Sequence, residues 1–278
     1  MDNKRHDGRL NDQIRPIEVF YDAYGYADAS VLLSWGKTIV ASSVTLQQTV
    51  PPFLKGQRVG WLSAEYAMLP CATHQRSARE SSQVYKNARS VEISRLIGRS
   101  LRTVVSLDKI GEQTITVDCD VLQADGGTRV ASITAASLAL ALAARRWVAW
   151  GVIKENVFTE HVIAVSAGIL RGMPVVDLAY QEDSIADADF NFVLTQSGNV
   201  IEVQGTAEKV AVSWQQFEEI KNLVISSTKE IFNVCRAYEL PEIDSNASSQ
   251  QANAKNSRDA HASKRAFFSL ANRLTKSS

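Results

Sequence analysis

A glycine pair between a strand pattern and a helix pattern is the feature of this sequence best suited to bind an anion. Thr114–Val121 alternates apolar and polar residues, which predicts a half-buried strand, and the turn Asp125–Gly127 follows it. Thr128 and Arg129 then open the Ala/Leu-rich run Val130–Trp150, which predicts a buried helix. The free N–H groups of the first helical turn, the helix dipole and the Arg129 guanidinium could together hold a phosphate. A plain tight turn followed by a solvated arginine fits these residues equally well.

Basic residues are concentrated in the segment 76–102, which carries seven of them against two acids. Within it, apolar residues at helical spacing predict an amphipathic helix over Val91–Val105. Arg76, Arg79 and Arg89 precede this helix on an irregular stretch, where their side chains could contact a phosphodiester backbone. The arginines on the polar face of the helix are expected to be solvated or to face another subunit: Arg95, Arg99 and Arg102.

A third candidate site is the acidic stretch Gln181–Asp189, which carries four carboxylates: Glu182, Asp183, Asp187 and Asp189. Like charges held this close repel one another unless water, arginines or a hard cation such as Mg²⁺ compensates for them. Taken alone, the stretch fits a solvated acidic loop better than a metal site. Beside an arginine-rich segment and a glycine turn, however, the carboxylates could supply the metal site or the proton donor that phosphate chemistry requires.

The composition and the missing motifs narrow the class of protein. The 278 residues are 45% hydrophobic, enough for a substantial core, and the formal net charge is +0, so nucleic-acid binding would depend on segregated charge. No Walker A, catalytic-triad or zinc-ligand pattern occurs, which argues against a nucleotide triphosphatase, a triad hydrolase and a zinc enzyme. Without a signal-peptide pattern, a membrane-spanning run or paired cysteines, we expect a soluble cytoplasmic protein with reduced thiols.

The remaining patterns predict how these candidate sites are positioned. Eight further strands are predicted: Ile17–Ala23, Ser30–Trp35, Thr38–Leu46, Trp61–Leu69, Val162–Leu170, Met173–Tyr180, Phe190–Thr195 and Val200–Gln204. A capping box at Ser213 and Gln216 opens a closing helix that reaches about Leu240. Sheet, helix, strand, helix, sheet and helix in succession predict an α+β fold, which could be internally duplicated.

Six sequence blocks follow one another along most of the chain: DGRLNDQIRP, FLKG, AEYAMLP, SRLIGRSLR, TITVDCDVLQADGGTRVASIT and IEVQGTAE. From about Asp7 to about Leu240 they resemble the bacterial ribonuclease PH family, phosphate-dependent 3′-to-5′ exoribonucleases that trim tRNA precursors and release nucleoside 5′-diphosphates. The resemblance implies an α+β fold of duplicated βαβα units, of the ribosomal protein S5 domain 2-like type. It also implies an RNA substrate, inorganic phosphate as co-substrate, a hexameric ring of three dimers, and a catalytic domain over residues 1–240.

The resemblance also implies roles for individual residues. The phosphate-binding arginine of the family corresponds to Arg89, and its Gly-Thr-Arg phosphate site corresponds to Gly127–Arg129. Its paired catalytic aspartates correspond to Asp183 and Asp189. These carboxylates are implied to bind Mg²⁺ or to protonate the leaving 3′ oxygen.

The chain departs from the family pattern along the implied RNA path. Arg76 and Arg79 are in register with the family, but Cys71 stands where an arginine is usual and Asn87–Ala88 where Gly-Gly is frequent. We expect weaker or differently selective RNA binding rather than loss of the chemistry. Tyr85 could stack on a base, although a lone tyrosine is more often part of ordinary packing.

Residues 241–278 form a C-terminal extension outside the resemblance. Of the 19 residues Ser245–Ser263, 15 are Ser, Asn, Ala or Gln, a composition typical of a linker. Ala266–Leu274 places apolar residues between basic ones and could form a short amphipathic helix, although isolated helices of this length are marginal in water. A frayed tail fits this segment better.

A second function stays open at this point. A non-catalytic RNA-binding subunit of an exosome-like ring would keep the fold and lose the site. The joint presence of Arg89, Gly127–Arg129, Asp183 and Asp189 favours the enzyme, because a scaffold has no need for both halves of a phosphate and metal site.

Overall fold

The computed structural model describes residues 5–80, 87–238 and 240–243. Tyr85, the predicted linker and the predicted basic helix lie outside the described residues, so the expectations placed on them stay predictions. None of the described helices combines the length and the apolarity needed to cross a membrane.

The first half of the chain forms a five-stranded sheet with one parallel pair. Its strands are β1 (Ile17–Tyr21), β2 (Ala29–Trp35), β3 (Thr38–Gln47), β4 (Trp61–Met68) and β5 (Thr114–Gln123), in the order β1-β2-β3-β5-β4. Helix α1 (Ala88–Arg102) connects the parallel strands β4 and β5. Val117 and Cys119 of β5 are buried while Asp120 is exposed, which confirms the predicted alternation.

The second half repeats the scheme of a sheet followed by a long helix. Its antiparallel strands are β6 (Val162–Leu170), β7 (Met173–Val176), β8 (Ala188–Thr195) and β9 (Val200–Ala207), in the order β7-β6-β8-β9. The one-turn helix α3 (Tyr180–Asp183) precedes β8, and α4 (Trp214–Ala237) closes the unit, as α2 (Thr128–Ala149) closes the first. The structure confirms the α+β class with duplicated units.

Helix α2 is the centre of the core because it packs against both sheets. Of its 22 residues, 17 are buried, and many are alanines, which let the sheets approach closely. Its hydroxyls also satisfy backbone groups of β6: Ser137 accepts a hydrogen bond from Val162 N at 2.8 Å, and Thr134 accepts one from Ala164 N at 3.3 Å. The start of α2 is therefore fixed relative to both halves of the molecule.

Several predicted boundaries differ from the structure, and one of them is wrong for a physical reason. The predicted strand Met173–Tyr180 ends at Val176, because Asp177 adopts a left-handed backbone with a φ of 52°. The chain then turns into α3, so part of the predicted acidic loop is helical. Helices α1 and α2 begin three and two residues earlier than predicted, while α4 ends at Ala237.

Candidate active site

The glycine turn joins the end of β5 to the start of α2, as predicted. Gly126 and Gly127 both have positive φ values, 78° and 68°, which other residues rarely adopt. A Cβ on Gly126 would lie 2.6 Å from Leu178 O and 2.7 Å from Tyr180 N. The turn therefore packs directly on the backbone that leads into α3.

The first turn of α2 presents polar groups that are not all hydrogen-bonded within the described part of the chain. Tyr66 donates a hydrogen bond to Thr128 Oγ1 at 3.0 Å, which fixes the start of the helix. The Arg129 guanidinium lies 3.0 Å from a Glu92 oxygen and donates to Gln204 at 3.4 Å. Its Nε is buried and has no hydrogen-bond partner among the described residues. An orphaned donor on a cation is a group that an anion would satisfy.

Arg89 occupies the equivalent position at the start of α1. It is the second residue of the helix, not a residue before it as predicted, and its backbone N–H donates to the Asn87 side chain at 3.0 Å. Asn87 thus caps the helix at the point where the family pattern has glycine. The side chain of Arg89 is exposed. The two arginines named as phosphate ligands therefore share one local setting, the first turn of a long helix.

The carboxylates come from the second half of the molecule. Asp183 ends α3 and Asp189 lies near the start of β8. Partial desolvation of the carboxyl and then the negative charge of Asp189 raise the pKa of Asp183, although the residue as a whole is exposed. The positive charges of Arg89, Arg129 and Arg15 partly offset this rise. The charges of Asp189, Arg89 and Arg129 therefore all act on the Asp183 carboxyl.

The other two carboxylates of the acidic stretch have structural partners, contrary to a uniformly solvated loop. Glu182 is buried, binds the Arg5 guanidinium through both oxygens, and accepts a hydrogen bond from Ala179 N at 2.9 Å. Asp187 accepts one from Gly172 N at 3.1 Å. Asp183 and Asp189 accept no side-chain hydrogen bond within the part of the chain that the structure describes.

The structure also yields a possible cation cluster that the sequence did not suggest. In the described ranges, ligand atoms of His6, Asp7 and Glu182 lie within 4.8 Å of one another. The Glu182 carboxylate is already neutralised by Arg5 and Arg9, at 2.7 and 3.4 Å. This cluster therefore serves as an ion-pair network rather than a metal centre.

Sequence reasoning missed the N-terminal arginines that support the site. Arg5, Arg9 and Arg15 reach the segment before and within α3, where they bind Asp177 and Glu182. Arg9 and Arg15 lie within the block DGRLNDQIRP of the family resemblance, and Arg5 lies just before it. Their partners lie more than 160 residues away, so no local pattern could identify them.

The predicted RNA-contacting arginines lie on an exposed loop after β4. Ala124 N donates to Ala72 O at 2.8 Å, which ties the loop to the residue that follows β5, and the His74 ring lies 6.1 Å from the Tyr180 ring. Arg76 and Arg79 are both exposed. The loop thus lies beside α3.

Two of the three helix arginines, predicted to be solvated or to face another subunit, have partners in the same chain. Arg99 binds Glu202 of β9 at 2.5 Å. Arg102 lies 4.4 Å above the Trp61 ring and donates to Leu62 O at 2.9 Å. Both side chains have partners within the same chain, whereas Arg95 is exposed.

Family comparisons cover most of the described chain. Residues 13–145 match the 3′ exoribonuclease family, domain 1, and residues 161–223 match the 3′ exoribonuclease family, domain 2. Ribonuclease PH of Bacillus subtilis (strain 168) is 46% identical over 230 residues, which cover 82% of this chain and 94% of that protein.

Solved structures share the fold at lower identity. A chain of the Archaeoglobus fulgidus exosome with RNA bound to the active site has a TM-score of 0.70 and 23% identity, covering 84% of this chain and 92% of its own. Rice (Oryza sativa) Rrp46 has a TM-score of 0.64 and 19% identity, covering 82% of this chain and 97% of its own. At these identities the likeness shows the fold alone.

The two family-domain matches and the Bacillus subtilis relative indicate the same family. Together the two family domains span more than half of the chain, and the identity to a ribonuclease PH extends over most of both proteins. The exosome proteins are much more distant, so they give no support to the alternative of a non-catalytic ring subunit. The chain belongs to the ribonuclease PH family of phosphate-dependent 3′-to-5′ exoribonucleases.

Proposed function

We propose that this exoribonuclease binds inorganic phosphate between Arg89 and Arg129 and cleaves the last phosphodiester of RNA beside Asp183 and Asp189. The observation that carries the proposal is the set of charges acting on the Asp183 carboxyl. Of these charges, those of Arg89, Arg129 and Asp189 come from three separate elements, α1, α2 and β8. Cations beside a carboxylate pair suit a reaction that brings two phosphates together, because the cations offset their repulsion.

The phosphate side of the site is built on the start of α2. Backbone N–H groups of the first helical turn and the positive end of the helix dipole favour an anion there. Arg129 adds a guanidinium whose Nε has no partner among the described residues and whose Glu92 partner is itself 39% exposed. A bound phosphate would supply the missing acceptor, and Arg89 would hold it from the opposite helix.

The carboxylate side fits a magnesium ion. Asp183 and Asp189 offer oxygen ligands, which Mg²⁺ prefers, and their mutual repulsion is what a divalent cation offsets. When bound, the ion would neutralise negative charge that develops on the reacting phosphoryl oxygens. A carboxyl group of the pair could also carry the proton that the leaving 3′ oxygen needs.

The reaction then follows from these positions. An oxygen of inorganic phosphate bonds to the phosphorus of the terminal phosphodiester, and the bond from that phosphorus to the 3′ oxygen of the preceding nucleotide breaks. That 3′ oxygen takes a proton, so the RNA ends in a 3′ hydroxyl and the last nucleotide leaves as a 5′-diphosphate. The reverse reaction adds a nucleotide and releases phosphate.

The proposed substrate is tRNA precursors, with rRNA as a further candidate. The proposed location of the protein is the cytoplasm. Arg76 and Arg79 would contact the RNA backbone, since their loop lies beside α3. Residues 1–240 would form the catalytic unit, and identical chains would assemble as a hexameric ring. A chain with the same fold comes from an exosome structure with RNA bound to the active site.

The test is to incubate the purified protein with a 3′-labelled tRNA precursor and Mg²⁺, with and without phosphate. Nucleoside diphosphates should appear only with phosphate. Nucleoside monophosphates released without phosphate would contradict the proposal, as would RNA that is bound but not shortened under both conditions. When Arg89 or Arg129 is changed to alanine in the same assay, Arg95→Ala, on the exposed face of α1, is the control for a general loss of positive charge.

A further inference from the structure

A buried ion pair lies directly behind the two sides of the site. The side chain of Arg15 is 6% exposed and that of Asp177 is fully buried. Arg15 binds both Asp177 oxygens, with Nη2 to Oδ1 at 2.6 Å and Nε to Oδ2 at 3.0 Å, and its backbone N–H donates to Oδ2 at 2.6 Å. Such a bidentate arrangement fixes the carboxylate in orientation as well as in position.

The same guanidinium also reaches the phosphate-binding turn. Arg15 Nη1 donates to Asp125 O at 2.5 Å, and a Cβ on Gly127 would lie 3.1 Å from Arg15 Nη2. Asp125 O in turn accepts a hydrogen bond from Tyr180 N at 3.2 Å, at the first residue of α3. One side chain is thus bonded to the turn that starts α2 and to the residue that redirects the chain towards α3.

Asp177 has a left-handed backbone conformation that its surroundings hold in place. Its φ of 52° is unusual for a residue other than glycine, and it ends the strand β7 that precedes α3. Arg9 Nη1 also donates to its carboxylate at 3.1 Å. Burial alone would raise the pKa of the Asp177 carboxyl, but the Arg15 guanidinium outweighs burial and holds that pKa below its usual range. The carboxylate is therefore charged and paired at neutral pH.

We propose that the Arg15–Asp177 pair is a positioning unit that sets the phosphate-binding turn against the carboxylate-bearing helix α3. It acts through the turn and α3 rather than directly on substrate or metal, and the inference rests on the proposed function of the two sides. Because one guanidinium bonds both segments, a change in its geometry moves the start of α2 relative to Asp183. Phosphate affinity and the alignment of Asp183 therefore depend on this pair together.

The chain offers a matched control at the other end of α2. Arg146 binds both oxygens of Asp22, at 2.7 and 2.6 Å, and donates to a backbone carbonyl, that of Asp28, at 3.0 Å. Its chemistry repeats that of Arg15, but about 25 Å of helix separates it from Arg129. Arg15→Lys and Arg146→Lys both keep a positive charge and lose the planar fork.

The experiment compares the wild type, Arg15→Lys and Arg146→Lys for kcat, the KM for phosphate and the KM for RNA, well below their unfolding temperatures. Thermal stabilisation by phosphate, without RNA, gives a second readout that needs no turnover. We expect Arg15→Lys to raise the phosphate KM at least about tenfold and to weaken the stabilisation, with little change in the RNA KM. Arg146→Lys should change neither.

The outcomes separate this inference from the function on which it rests. Equal phosphate KM values in the two folded variants would overturn the positioning role. A wild type without any phosphate dependence would overturn the proposed function and this inference with it. If Arg15→Lys does not fold, Asp177→Asn replaces it, because Asn keeps the shape and tolerates the left-handed backbone. An unchanged phosphate KM in that variant overturns the inference equally.

Discussion

The two sides of the site are built in different ways. The proposed phosphate side uses the first turns of two long helices, and three of its four residues follow one another in sequence: Gly127, Thr128 and Arg129. The carboxylate side uses a single helical turn and the start of a strand. What holds that turn in place is a set of ion pairs to residues 162 to 177 positions away. One side is thus encoded locally, and the other depends on the folded whole.

This difference has an energetic consequence. Backbone N–H groups at a helix start are present whenever the helix forms, so the phosphate side needs few side chains to be correct. A buried ion pair is different, because removing one partner leaves an uncompensated charge. The carboxylate side should therefore be sensitive to changes far from the chemistry, such as those at Arg5, and a change at Arg15 should also reach the phosphate-binding turn that its guanidinium contacts.

The largest expected effect is on the phosphate side. Arg129→Ala should lower kcat/KM for phosphorolysis by about 100-fold or more, because a charged donor to the reacting phosphate is lost. Steady-state rates at several phosphate concentrations measure this, and Arg95→Ala should stay near wild type. Unchanged activity at low phosphate would remove Arg129 from the phosphate site, and Arg89→Ala tests its partner in the same way.

On the carboxylate side, Asp183→Asn should lower kcat by about 100-fold while leaving the KM for phosphate within a few-fold of wild type. The reason is that an amide binds a cation less well than a carboxylate does and cannot carry the proton. Asp187→Asn is the control, since among the described residues that carboxylate accepts one hydrogen bond, from Gly172 N. A rise in the phosphate KM as large as the fall in kcat would mean that the two sides are not separate.

The dependence on buried charge predicts a pH effect on stability. Because the pKa of Asp177 is held below its usual range, its contribution is present above the pH at which an ordinary aspartate titrates and is lost as pH falls further. The unfolding free energy of wild type should exceed that of Asp177→Asn by about 3 kcal/mol at pH 7. The gap should close below about pH 4, as measured by urea unfolding.

The control for this titration is Asp22→Asn, which breaks the more exposed pair with Arg146. Its gap to wild type should stay below about 1 kcal/mol at every pH. A gap for Asp177→Asn that does not change between pH 7 and pH 3 would show that its charge is not what stabilises the segment.

Packing between the sides can be tested at the glycine turn. Gly126→Ala adds a Cβ against Leu178 O and Tyr180 N, whereas Gly172→Ala, at nearly the same φ of 77°, meets open space. Both should lose about 1 kcal/mol from left-handed strain. Gly126→Ala should lose about 1–3 kcal/mol more in denaturant unfolding and raise the phosphate KM. Equal losses in the two variants would mean that the turn and α3 do not press together.

The smallest effect should come from Glu92, which competes with phosphate for Arg129. Glu92→Gln should lower the phosphate KM by about two- to fivefold, because a partly exposed ion pair at 3.0 Å contributes little. Glu155→Gln breaks an exposed pair of the same length with Lys109 and should have no effect. A phosphate KM that rises in Glu92→Gln would give Glu92 a positioning role instead.

The features that the sequence could predict are those encoded locally, and the features that were missed depend on long-range contacts. Strand β5, the glycine turn and α2 were predicted because period, turn residues and composition are all local. The capping box of α4 is also as predicted, with Ser213 Oγ accepting from Gln216 N at 3.2 Å. Helix α3 and the left-handed Asp177 were missed, because long-range ion pairs outweigh the strand pattern there. The buried structural role of Glu182 was missed for the same reason, since no local feature of the sequence distinguishes it from Asp183.

The most direct test of the account is to follow radiolabelled inorganic phosphate through the reaction with an unlabelled tRNA precursor. In wild type, the label should appear as the β-phosphate of the released nucleoside diphosphates, and it should be almost absent with Arg129→Ala or Asp183→Asn. RNA that shortens in wild type while the label stays in inorganic phosphate would contradict the account, because water and not phosphate would then be the nucleophile.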